Sequence, residues 1–298
     1  MVIKNSLFFL LSSWSVVLMA QSKPHSIDTL NSMAYVKSIV QFLASDSLYG
    51  RPSGSLYERQ AGAYIYQKFK AIKGCKPKIH SFQFEAPTTV ENKSSQNIYY
   101  YLNNHADSTI LIGAHYDHIG MGEGLSLAYA KKNEIHNGAD DNASGVALML
   151  LLSTLSKKNL SKSFNYVFVS FGAHELGLYG SSAFYDFIVH KVKPIHLAIN
   201  FDMIGRMDVS NPILRVNVTS TAKTIYFENF KGILQINKNY DDKVYDTDCS
   251  VFAEHGIPSL SFTTGIHNDY HKPSDDEKKI NYQGIILLNE IILAYLNR

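Results

Sequence analysis

His115, Asp140, Glu175, Asp202 and His271 are side chains of the kinds that bind divalent metals, and each falls near the end of a predicted strand or the start of a helix. Two imidazoles and three carboxylates form a nitrogen and oxygen donor set, with an odd carboxylate left over to bridge. Such a set suits a pair of divalent ions, zinc foremost. The chemistry it points to is metal-assisted hydrolysis. Each residue alone has a plainer explanation. Any one of the twelve histidines taken singly is more commonly a surface or satisfied core residue. The Asp140-Asp141 pair reads as a helix cap placed to meet the helix dipole. Glu175 alone would be a loop carboxylate and Asp202 a strand-end cap. Only their joint placement carries the metal reading.

That placement depends on the elements between them. Thr109 to Ala114 is a short unbroken apolar run, as expected of a strand buried on both faces. Asn165 to Phe171 and Ile195 to Phe201 read the same way, and Pro258 to Thr263 supplies a later strand. Ser144 to Ser156 and Ser181 to Val189 read as the helices between the central strands. This alternation predicts an α/β fold, a three-layer sandwich with a twisted, mostly parallel sheet and helices on both faces. Ligands of open α/β sheets collect beyond the carboxyl ends of the strands, where His115, Glu175, Asp202 and His271 fall. Asp140 precedes the helix that begins near Ser144.

Upstream, Ser26 to Asp28 offers caps for a helix carrying Met33, Val36, Val40 and Leu43 on one face. A turn containing Gly50, Pro52 and Gly54 leads to a second helix over about Leu56 to Ile72. Ile79 to Phe84 and Asn97 to Leu102 alternate like strands of an antiparallel edge. Tyr282 to Leu296 closes the chain as a helix.

The chain has 298 residues, 45% apolar and 18% charged, with a formal charge of +2. These values are ordinary for a globular protein and leave no electrostatic case for nucleic acid as a partner. Lys4, the apolar stretch Leu7 to Met19 and the small residue Ala20 read as a secretory signal peptide over residues 1–20. The expectation is a secreted or periplasmic protein, monomeric, with no stable membrane association after cleavage. Residues 21–298 are expected to form one catalytic domain. Cys75 and Cys249 are too far apart in sequence to establish a bridge.

Five segments together resemble the co-catalytic zinc aminopeptidases, whose relatives include glutamate carboxypeptidase II and glutaminyl cyclases. They are Ala114 to His118, Gly138 to Gly145, Glu175 to Ser181, Asn200 to Arg206, and Asp269 to Asp275. The resemblance runs from about Ile39 to the C-terminus, in the family's order. It implies that His115 and Asp202 hold one zinc ion, that Glu175 and His271 hold a second, and that Asp140 bridges the two. It also implies that Asp117 orients His115, that Tyr270 stabilises the tetrahedral intermediate, and that a cis peptide bond follows the bridging aspartate, here Asp140-Asp141. Arg206 is a candidate contact for a substrate carboxylate, with a structural role equally open. The implied activity is an exopeptidase that removes N-terminal residues from peptides through a metal-bridging hydroxide.

The chain departs from the family at the catalytic base. The glutamate that precedes the ligating one is here His174. An imidazole could still accept the proton, it could serve as a ligand with Glu175 as the base, or the chain could retain metal without turnover. A His174→Glu change is expected to leave activity similar or raise it. Cys249 replaces a family histidine near the site mouth. The alternatives are a glutaminyl-cyclase-like acyl transferase using one zinc, and a catalytically impaired metal-binding protein.

Overall fold

The computed structural model describes residues 29–87, 91–122, 124–128, 133–208, 210, 212–219, 235–240 and 247–297. The expected signal peptide and the Ser26 to Asp28 caps lie outside the described residues. One sheet organises the rest. Its strands are β1 (Lys78–Glu85), β2 (Asn92–Leu102), β3 (Thr109–His115), β4 (Asn165–Phe171), β5 (Ile195–Phe201), β6 (Ile213–Val218), β7 (Gln235–Tyr240) and β8 (Ser259–Thr263). They lie in the order β1-β2-β4-β3-β5-β8-β6-β7.

The centre β4-β3-β5-β8 is parallel throughout. β1 and β2 form the antiparallel edge that their alternation suggested, and β2 pairs antiparallel with β4. At the other edge β6 runs antiparallel to β8, and β7 parallel to β6. β6, β7 and a short helix over Asp248–Glu254 were not expected from the sequence.

Helices cover both faces. α1 (Thr29–Leu43), α2 (Leu56–Lys70), α3 (Gly145–Asn159) and α6 (Tyr282–Leu296) pack on one side. α4 (Tyr179–Ile188) and α5 (Asp248–Glu254) pack on the other. The strand sequences divide accordingly. Ile110 and Ile112 enter the first core while Leu111 enters the second; Tyr166 and Phe168 likewise oppose Val167 and Val169. A strand buried on both sides has no polar face to show, which is why these segments read as continuous apolar runs. Each such fully buried side chain stabilises the fold by about 1.5–3 kcal/mol.

Local signals set the helix ends. Ser55 accepts a hydrogen bond from the Glu58 backbone N–H at the start of α2, and Asn281 accepts one from Gly284 at the start of α6. α4 starts so close to β4 that a side chain at Gly180 would overlap the Gly172 carbonyl. That approach fixes the 172–178 loop between them. Cys75 packs against the first core and Cys249 lies within the second, so the sheet separates the two free thiols.

Candidate active site

The strands deliver their polar ends to one place. His115 is the last residue of β3, Asp202 follows β5, and His174 and Glu175 stand in the loop after β4. The loop after β8 brings His271. The distorted turn Ala139–Ser144, ahead of α3, brings a carboxylate into the middle.

That carboxylate is Asp141. Its Oδ1 lies 3.3 Å from His115 Nε2 and its Oδ2 lies 3.3 Å from His271 Nε2. Asp202 Oδ1 is 3.6 Å from the same nitrogen of His115. Glu175 Oε2 is 3.3 Å from the same nitrogen of His271. Two imidazole–carboxylate pairs therefore share one central carboxylate, with a separate oxygen turned to each.

Asp140, expected to bridge, does not face this cluster. Its Oδ1 accepts hydrogen bonds from Ser144 Oγ at 2.9 Å and from the Gly205 N–H at 2.6 Å, and its Oδ2 meets His267 Nε2 at 3.1 Å. The cis peptide is likewise one residue later, between Asp141 and Asn142 rather than Asp140 and Asp141. Sequence offered two adjacent aspartates of equal chemistry, and only the turn's backbone path decides which one points inward.

Several buried groups hold that path. Asp275 Oδ2 accepts from the N–H groups of Asp140 and Asp141 at 2.9 and 3.0 Å. Asn142 donates to the Phe201 carbonyl and accepts from Gly145 and Met203, which ties the turn to the end of β5. Arg51 is fully buried and donates to the carbonyls of Tyr116, Leu43, Asn137 and Gly138. Arg206 belongs to the same scaffold. It donates to Asp275 Oδ1 at 2.8 Å and Asp269 Oδ2 at 3.3 Å and does not line the cavity. This pairing is the structural role that the sequence left open beside a substrate contact.

Asp117, expected to orient His115, is buried beside it and also holds the loop after β4. Its carboxylate accepts from Ser53 Oγ and from the backbone N–H groups of His174 and Glu175 at 3.0 and 3.1 Å. His115 Nδ1 lies 3.3 Å from the Asp117 carbonyl and 3.7 Å from its carboxylate. Asp117 thus positions the loop carrying His174 and Glu175. His118, which the sequence reading passed over, holds Glu175 Oε1 at 2.8 Å.

Asp248, from the start of α5, was also missed. Its Oδ2 is 3.1 Å from His174 Nδ1. Helix α5 is only seven residues long, too short to leave a clear periodic signal. Its Cys249 is buried with Sγ against the Leu260 carbonyl, facing the core and not the site mouth.

The cluster is short of positive charge. Burial opposes protonation of His271, but Asp141 and Glu175 outweigh it and push its pKa up to about 10. Burial and the Asp141 charge push Glu175 up, yet the His118 and His271 contacts bring it down to about 2. Protons here satisfy carboxylates that divalent cations could satisfy instead. Among the described residues, Nε2 of His115 and of His271 is buried with no hydrogen-bond partner, only carboxylate oxygens at 3.3–3.6 Å. A buried imidazole nitrogen with no such partner, facing a carboxylate, suits coordination of a cation. The sets His115, Asp141, Glu175 and His115, His174, Asp202 each bring three ligand atoms within 4.8 Å of one another. The residues fit divalent metal.

Beside them lies a cavity of about 560 Å³ lined by Asp141, His174, Glu175, Asp202 and Tyr270, among others. The Tyr270 ring lies over His271, with centroids 4.0 Å apart.

Residues 97–296 match the model of peptidase family M28. Over 168 residues the chain is 28% identical to aminopeptidase YwaD of Bacillus subtilis strain 168, a segment that covers 53% of this chain but only 36% of that protein. Its fold is similar to that of a leucine aminopeptidase precursor from Bacteroides thetaiotaomicron, with TM-score 0.72, 14% identity and coverage of 92% of this chain and 98% of that one. It is equally similar to a glutaminyl cyclase from Fimbriiglobus ruber, with TM-score 0.72, 17% identity and coverage of 89% and 94%. With the family model spanning β2 through α6, the chain belongs to peptidase family M28.

Proposed function

We propose that this chain is an exported two-zinc aminopeptidase. The observation that carries the reading is the central Asp141 carboxylate, with one oxygen turned to His115 and the other to His271. His115 and Asp202 would hold one ion, His271 and Glu175 the other, and Asp141 would bridge. Bound there, the pair would acidify a water and polarise the scissile carbonyl. Export rests on the signal-like residues 1–20.

The protein's own groups move the protons. A carboxylate only accepts, so Asp248 fixes the proton of His174 on Nδ1. Burial and His115 oppose a charge on His174, yet Asp248 outweighs them and raises it to about 9 in the metal-free site; bound cations would oppose that charge and leave Nε2 to take a proton from the attacking water and return it to the leaving amine. Burial and the neighbouring Asp141, Glu175 and Asp202 charges push the Tyr270 hydroxyl up, which keeps it a donor for the developing oxyanion.

The shared carboxylate favours this hydrolase over a one-zinc cyclase. Hydrolysis of aminoacyl anilides by the purified protein tests it. Turnover should vanish with chelator and return with zinc. Absence of chelator-sensitive turnover on every N-terminal residue tried would refute the proposal.

A further inference from the structure

The cavity beside the metal-liking cluster is also lined by polar residues of β6 and β8. β6 and β8 are antiparallel, and their register sets Arg215 across from Thr263 and Asn217 across from Ser261. Side chains alternate along a strand. Leu214, Val216 and Val218 on β6, with Leu260 and Phe262 on β8, therefore enter the first core. Arg215, Asn217, Ser261 and Thr263 emerge together on the other face, and all four line the cavity. Thr247, at the start of α5, closes the wall beside them.

Two features of this wall call for a ligand. The hydroxyls of Ser261 and Thr247 are buried and, among the described residues, have no hydrogen-bond partner. Ser261 is only 1% exposed. Arg215 is the one lysine or arginine lining the cavity among the described residues. It donates from Nη1 to the Thr264 carbonyl at 2.8 Å, and among the described residues it has no ion pair with a carboxylate. Gly265, with φ +101°, leaves the room that Arg215 occupies; a side chain there would overlap Nη1.

We propose that Arg215, with Asn217 and Ser261, binds a carboxylate carried by the peptide substrate, making this an enzyme for acidic substrates. The inference rests on the peptidase reading above. A guanidinium fork pairs with a carboxylate through two parallel charge-assisted hydrogen bonds. An aliphatic side chain in the same place would strip water from Arg215 and leave the Ser261 and Thr247 hydroxyls unpaired. Sites that hydrogen-bond a substrate group reject analogues lacking it far more strongly than apolar pockets reject a missing methylene. The carboxylate has two possible sources, an aspartyl or glutamyl side chain at the N-terminus or the C-terminal carboxylate of a short peptide.

Steady-state kinetics of the zinc-loaded wild type and of Arg215→Gln and Arg215→Lys decide it. The substrates are glutamyl and leucyl anilides, and leucyl dipeptides with a free or amidated C-terminus. Wild type should favour one carboxylate-bearing member of a pair by about 10²-fold in kcat/KM. That preference should collapse in Arg215→Gln and recover only partly in Arg215→Lys, which lacks the fork. Selectivity within the anilide pair assigns the side chain, and selectivity within the dipeptide pair assigns the C-terminus. Wild type that cleaves both neutral members at least as well overturns the proposal even if the variants misfold. That outcome leaves the peptidase reading intact, whereas failure to cleave any of the four refutes the peptidase reading itself.

Discussion

His174 Nδ1 lies 3.1 Å from Asp248 Oδ2, and the His174 ring lies flat on that of His115, with centroids 3.7 Å apart and planes 4° from parallel. The carboxylate fixes the tautomer and the stack fixes the plane, so Nε2 of His174 is aimed rather than merely nearby. Asp248 acts through His174. Asp248→Asn should lower kcat by about 10²–10⁴, the usual worth of a positioned general base, while zinc content stays the same. Zinc lost together with activity would make His174 a ligand instead of the base.

The same contact reverses the sequence-based expectation for His174→Glu. A glutamate there would set a second carboxylate against Asp248, and two like charges at that separation resist joint ionisation. His174→Glu should therefore lose activity about 10²-fold, and adding Asp248→Asn should recover part of it. The four-member kinetic cycle reads this directly. Full activity in the single variant would contradict it.

Stability of the metal-free protein should fall as pH rises. The folded pKa of His271 is pushed up to about 10 by Asp141 and Glu175, against burial, from an ordinary value of 6.5. A group raised on folding contributes stability that is complete below 6.5 and lost as pH climbs through about 10. Zinc competes with protons for the same ring nitrogen, so its grip strengthens over that interval. The difference in Tm between zinc-loaded and chelated protein should widen from pH 6.5 towards 10, by about 2–4 °C for each kcal/mol of added binding. A constant or shrinking difference would rule this out.

The parallel centre of the fold was legible because its strands are buried on both faces and contain little but apolar residues. β4 and β5 begin and end where their sequences suggested. β6 was not, because its alternation of Leu214, Val216 and Val218 with Arg215 and Asn217 is that of a strand with one polar face, in a region read for buried runs. Ser259 to Thr263 alternates in the same way. That pattern was a signal for the polar cavity wall. In the site, residues at strand ends were placed correctly because strand direction alone carries them there. Asp140 and Asp141 could not be told apart, since a turn's dihedral angles are set by tertiary partners such as Asp275 and Asn142. His118 and Asp248 left no local trace, because each matters only through a side chain distant in sequence.

Catalysis as proposed depends on a two-ion site bridged by Asp141. Metal analysis of the purified chain beside Asp141→Asn and Asp140→Asn tests it most directly. The expected result is two zinc ions per chain in the wild type, loss of both in Asp141→Asn, and retention of both in a folded Asp140→Asn, whose carboxylate serves Ser144, Gly205 and His267. Two ions retained in Asp141→Asn and lost from folded Asp140→Asn would contradict it.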